Sequence, residues 1–252
     1  MSLLNLKKLK VCSQILPTKA SMKTDMGGFK LCIIGRPGRG KSVLIKDLIY
    51  NKMDIIPAAL IVCESEENNS FYESFINPLY IHNQYSEDLL QRVKERQVLI
   101  KNRAAQVDNP WMMFVMDDCM GDKSIYSSAI MRRFFKNSRH WNVLSLFSCQ
   151  YVLDFKPEIR SCIDGVFIFH DIIASNREKI YKNFASVIPT FNLFCKIMDS
   201  LPEYHCIYID SFSKSRNWED YVYYYKADPN LNFTFGSLAT HKFAKKRLDP
   251  DA

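Results

Sequence analysis

The chain has 252 residues, 47% of them hydrophobic and 24% charged, with a formal net charge of +7. That balance excludes a disordered polymer and fits a soluble globular protein of one large or two small domains. No apolar run approaches the ~20 residues of a membrane-spanning helix, and the positive charge biases the chain toward polyanionic partners.

Residues 1–27 read as a basic N-terminal extension carrying Lys7, Lys8, Lys10, Lys19 and Lys23, closed by the turn signal Gly27-Gly28. No apolar block follows its first lysines, so no signal peptide is expected. The run Leu31-Cys32-Ile33-Ile34 predicts a buried strand, 35–42 a glycine-rich turn, and 43–50 an amphipathic helix. Pro57 ends that helix, and 58–63 reads as a second strand running into the polar loop 64–70. Ser86, with Glu87 and Asp88 after it, marks a capped helix start. Residues 111–118 form an apolar run of strand length that ends in two carboxylates, and Ser124 is expected to cap a helix running to about Asn137. Further strands are predicted at 143–149 and 165–169, and helices at 176–186 and 191–200. Residues 205–209 and 220–225 make a β-hairpin with a long loop. Residues 229–252 form a basic C-terminal tail, expected to be disordered or ordered by a partner. Between the termini, residues 28–228 alternate strands and helices, which predicts an α/β domain with a mostly parallel sheet flanked by helices. The eight cysteines include no Cys-x-x-Cys pair. Structural zinc and a secreted disulfide framework are therefore poor fits, and a reducing compartment is the better one.

Gly35-Arg36-Pro37-Gly38-Arg39-Gly40-Lys41-Ser42 fits G-x-x-x-x-G-K-[ST] at every fixed position, between a predicted strand and a predicted helix. The glycines let successive backbone N–H groups point into one anion-binding concavity, and the helix that follows, from Lys41 through Val43, adds its positive N-terminal end. Lys41 is expected to reach the terminal phosphates of ATP, and the Ser42 hydroxyl to ligate Mg²⁺. Asp117 and Asp118 end a strand at the same sheet edge. Asp117 would orient the Mg²⁺ shell, and Asp118 would position or deprotonate the attacking water; the alternative is a pair of solvated acids at a strand end. Gln150 ends another strand, where its amide can sense the terminal phosphate. Arg139 lies between a helix and the strand leading to Gln150. It is a candidate arginine finger acting in trans, against the reading of a surface arginine near a helix C-terminus; Arg160 is the rival finger.

The phosphate loop, the Asp117-Asp118 pair, Ser138-Arg139-His140 and Ser148-Cys149-Gln150-Tyr151 together resemble the packaging ATPases of nucleocytoplasmic large DNA viruses and virophages, the poxvirus-type branch of the FtsK–HerA superfamily. The resemblance runs from about Phe29 to Asp228. It implies a P-loop NTPase of the ASCE, RecA-like type, with a strand between those bearing Lys41 and Asp117. It also implies an ATPase motor, a homo-oligomeric ring of five or six subunits that translocates double-stranded DNA into a preformed viral capsid. Capsid or portal-like vertex components would be its partners, and the host cytoplasm, its viral factories or the virion its location. The rivals are a P-loop phosphotransferase acting on a small molecule, and a nucleotide-dependent switch or scaffold without productive hydrolysis.

Overall fold

The computed structural model describes residues 6–23, 27–103, 109–119, 125–151, 153 and 155–248. In chain order the described elements are β1 (Lys7–Lys8), α1 (Val11–Gln14), β2 (Lys30–Ile34), α2 (Lys41–Lys52), β3 (Ala58–Cys63), α3 (Glu66–Asn69), β4 (Ile81–His82), α4 (Glu87–Asn102), β5 (Met112–Asp117), α5 (Ala129–Asn137), β6 (Val143–Cys149), α6 (Pro157–Arg160), β7 (Gly165–Phe169), α7 (Ala174–Ile180), α8 (Phe191–Asp199), β8 (His205–Asp210), β9 (Val222–Lys226) and α9 (Leu238–Leu248). The strands form one sheet in the order β1-β9-β8-β7-β2-β6-β5-β3-β4. Its neighbours pair in parallel except for β8, which runs antiparallel to both β7 and β9. The expected hairpin is therefore present, and β6 lies between β2 and β5, the insertion that the family resemblance implies.

Every residue of β2, β5, β6 and β7 is buried, which is why these stretches read as continuous apolar runs. Alternate residues feed two cores, one on each face. Cys32 and Ile34 join Phe114, Phe147 and Ile168 beneath the apolar sides of α4, α5 and α8. Leu31 and Ile33 join Val115, Leu146 and Phe167 beneath α2, whose Leu44, Ile45, Leu48 and Ile49 are buried. Phe147 stacks on Phe135 at 4.6 Å, and full burial of such a ring contributes about 1.5–3 kcal/mol.

Both termini depart from expectation. The basic N-terminal segment is part of the fold: Lys7 and Lys8 pair with Tyr223 and Tyr224, and Leu9, Val11 and Ile15 are buried. What holds it is Lys52, fully buried, whose ammonium donates to the carbonyls of Val11, Ile15 and Pro17 at 2.9, 2.6 and 2.8 Å. The Val11 carbonyl also accepts from Ile15 N–H at 3.2 Å, whereas Ile15 and Pro17 lie beyond the single turn of α1. The C-terminal segment likewise folds back through residue 248. Phe235 N–H donates to Phe75 O (2.8 Å), Ser237 N–H to Pro57 O (3.2 Å), and the Tyr80 hydroxyl to Thr240 O in α9 (2.9 Å). Its charges lie on the outside of a short helix with Ala244 buried beneath, so basic composition masked an apolar contact. The expected cap Ser124 lies outside the described residues; Ser128 Oγ caps α5 by accepting from Met131 N–H at 3.2 Å.

Candidate nucleotide site

The chain crosses from β2 into α2 through the turn 35–40. Gly38 (φ 72°) and Gly40 (φ 94°) occupy left-handed backbone there, which explains glycine at both positions. Gly40 also caps α2, its carbonyl accepting from Leu44 N–H at 2.9 Å. The tip residues Pro37, Gly38 and Arg39 are exposed, Arg36 and Val43 are half-buried, and Gly35 is buried. Lys41 is 8% exposed, and its ammonium reaches the Arg36 carbonyl at 3.4 Å. A contact that long holds a cation weakly.

Asp117, the last residue of β5, is 2% exposed and accepts from three hydroxyls. Ser42 at the start of α2 donates to Oδ2 at 2.7 Å, Tyr72 to the same oxygen at 2.8 Å, and Ser148 near the end of β6 to Oδ1 at 2.5 Å. Burial, with the Asp117 charge beside it, holds the Tyr72 phenol well above its ordinary value, so it stays a donor. Asp118 turns the chain out of the sheet at φ 55°, a conformation that costs a residue with a side chain about 1–2 kcal/mol. Its N–H donates to Ser148 Oγ at 3.0 Å, and its Oδ1 accepts from the Gln150 amide at 2.8 Å. Ser148 thus links the Asp117 carboxylate, to which it donates, to the Asp118 backbone N–H, from which it accepts. Lys41, Ser42, Asp117, Asp118 and Gln150 lie together at one sheet edge, as their strand-end positions require.

Ser148 and Tyr72 are the residues that sequence reasoning missed. β6 is apolar but for two buried serines, Ser145 and Ser148, and the position nearer the strand's C-terminal end is a signal for Ser148. Tyr72 carries none, since it comes from the irregular stretch after α3.

Arg139 lies elsewhere. It sits in the turn 138–141 before β6, at the N-terminal edge of the sheet. Its guanidinium pairs with Asp164, whose other oxygen takes the Lys30 ammonium at 2.9 Å and the Lys30 N–H at 2.9 Å. The Phe212 ring lies 5.1 Å beneath it. Gly27 packs so closely that a β-carbon there would overlap Arg139 Cγ at 2.0 Å. Lys30 and Gly35 bound β2 at its two ends, about 16 Å apart at strand rise, so Arg139 does not reach the phosphate loop of its own chain. Arg160 is tied to the Phe155 carbonyl at 2.5 Å.

Residues 19–228 match the family described as Poxvirus A32 protein. Protein 015R of Frog virus 3 (isolate Goorha) is 40% identical over 235 residues, covering 92% of this chain and 72% of that protein. Protein 088R of Invertebrate iridescent virus 3 is 42% identical over 235 residues, covering 91% and 88%. Among solved structures, the genome packaging NTPase B204 from Sulfolobus turreted icosahedral virus 2, in complex with AMPPCP, has a TM-score of 0.57 at 16% identity and covers 81% of this chain and 98% of that one. The pCW3 conjugation coupling protein TcpA has a TM-score of 0.54 at 10% identity, covering 97% and 75%. These two likenesses show that the chain shares its fold with both proteins. On the match across residues 19–228, this chain belongs to the poxvirus A32 protein family.

Proposed function

We propose that the protein is an ATP-hydrolysing motor that drives double-stranded DNA into a preformed viral capsid. The observation that carries this reading is the junction between phosphate loop and strand ends: Ser42 bonded to the buried Asp117 at 2.7 Å, beside Asp118 held by Gln150 at 2.8 Å. Support for the nucleotide comes from the B204 NTPase, whose structures are in complex with AMPPCP and ATP-gammaS. Support for the cargo comes from the family and from that neighbour's description as a genome packaging NTPase.

The loop N–H groups and Lys41 bind the triphosphate, and the loose Lys41 contact leaves that ammonium free to change partner. Ser42 Oγ and Asp117 Oδ2 supply hard oxygens of the kind Mg²⁺ takes, so the donor set fits that ion. When bound, Mg²⁺ neutralises charge on the terminal phosphates. Asp118 orients the lytic water and accepts its proton. Gln150, tied to Asp118, couples its position to the presence of the terminal phosphate. Arg139, a strand length from its own loop, would act on a neighbour's nucleotide in a ring. Phosphate release from ATP, measured with and without double-stranded DNA, tests the reading. A rate that rises with DNA and vanishes in Lys41→Ala supports it; a parent rate indifferent to DNA overturns it.

A further inference from the structure

Beside the phosphate loop, on the side away from Asp117, the fold leaves a cavity of about 240 Å³. Gly38 and Arg39 form one wall, Phe169 and His170 at the end of β7 another, and Tyr204 with His205 at the entry to β8 a third. Strand order fixes its relation to the site. The groups that meet a terminal phosphate lie on β5 and β6, to one side of β2, whereas β7 and β8 lie to the other. A triphosphate with its terminal phosphate at Asp117 and Asp118 therefore directs its opposite end toward this cavity. The volume is below the ~300–1,000 Å³ of whole-ligand pockets and suits part of a nucleotide.

Tyr204 stands in left-handed backbone at φ 58°, a genuine outlier for a bulky residue. The surroundings hold it there: its carbonyl accepts from Ala227 N–H at 3.0 Å, and His205 N–H bonds Pro202 O at 3.1 Å. The result is a ring laid against the phosphate loop. A β-carbon at Gly40 would sit 3.1 Å from Tyr204 Cδ1. This strained backbone sets an aromatic ring beside an anion-binding turn, an arrangement in which the turn can hold phosphates while the ring packs on a base.

Resting on the nucleotide reading above, we propose that this cavity receives the base and ribose of the bound nucleoside triphosphate, with Tyr204 as the wall on which the base packs. The test uses the full-length protein and compares binding of ATP with binding of inorganic tripolyphosphate, which has the charge but no base. Tyr204→Ala and Tyr204→Gly both remove the ring, and the glycine variant also relieves the backbone. Loss of one base–aromatic contact predicts that ATP affinity falls roughly 10- to 100-fold in both variants, while tripolyphosphate affinity stays within about two-fold of the parent. Parallel loss of ATP and tripolyphosphate overturns the assignment and makes Tyr204 a buttress of the loop. Unchanged ATP affinity in both variants overturns it too. A parent that binds neither ligand defeats the nucleotide reading itself, and the pocket assignment with it.

Discussion

The two edges of the sheet are built from similar polar residues and behave oppositely. At the C-terminal edge, left-handed backbone gathers at Gly38, Gly40, Asp118 and Tyr204, and hydroxyls and an amide tie the carboxylates. At the N-terminal edge, Asp164 is 5% exposed and Lys30 3%, and the Asp164 carboxylate pairs with both the Lys30 ammonium and the Arg139 guanidinium, the latter lying over the Phe212 ring. Hydroxyl donors can rotate to a new partner at little cost, and a hydroxyl can serve a metal as readily as a carboxylate. A buried ammonium cannot give up its only carboxylate without several kcal/mol of loss. One edge is held by contacts that can be exchanged at little cost, and the other by contacts that cannot.

Substitutions can separate the edges. Asp118→Asn keeps the shape and the oxygen that Gln150 bonds but removes the base. ATP turnover is expected to fall 10²- to 10⁴-fold, with denaturant stability within about 0.5 kcal/mol of the parent; an unchanged rate would remove Asp118 from the chemistry. Asp164→Ala reverses the pattern. It strands the buried Lys30 ammonium, so urea unfolding should show a loss of about 3–5 kcal/mol, whereas ATP affinity of the folded fraction stays near the parent's. Intact stability would show that the N-terminal edge is not the rigid one. Tyr72→Phe sharpens the contrast at smaller scale. Asp117 keeps Ser42 and Ser148, and stability drops by about 2 kcal/mol, read from the same unfolding curve. The pH dependence has a definite sign. The buried phenol stays protonated above pH ~10, where an unfolded tyrosine ionises, so its share of the parent's stability is lost as pH rises past that point. Tyr72→Phe should lessen that alkaline slope.

Much of this was legible in the chain itself. Strands β2, β5, β6 and β7 are buried on both faces and so announce themselves as apolar runs, and the phosphate loop declares its glycines because the backbone there admits little else. Asp117, Asp118 and Gln150 could be read as neighbours since each ends a strand of one parallel sheet. The rest depends on contacts that spacing does not encode. Tyr72 reaches Asp117 from an irregular segment, 45 residues away in sequence. Lys52 looks like one more solvated lysine in a helix, yet its ammonium organises a distant turn. Arg139 and Asp164 meet because β6 and β7 flank β2, an adjacency set by the sheet and invisible in their separation. The tail through α9 packs on a few small and aromatic residues, too sparse a pattern to outweigh its charge.

In the proposed motor, one subunit's C-terminal edge is completed by its neighbour's N-terminal edge. The most direct measurement mixes Arg139→Ala with Lys41→Ala subunits and follows ATP turnover against mixing ratio. Each variant alone should be close to inactive, the arginine loss alone being worth ~10³-fold or more. The mixture should recover turnover, because some junctions pair an intact phosphate loop with an intact arginine. Equal mixing with no recovery, by subunits that still assemble and melt as the parent does, would contradict a shared site.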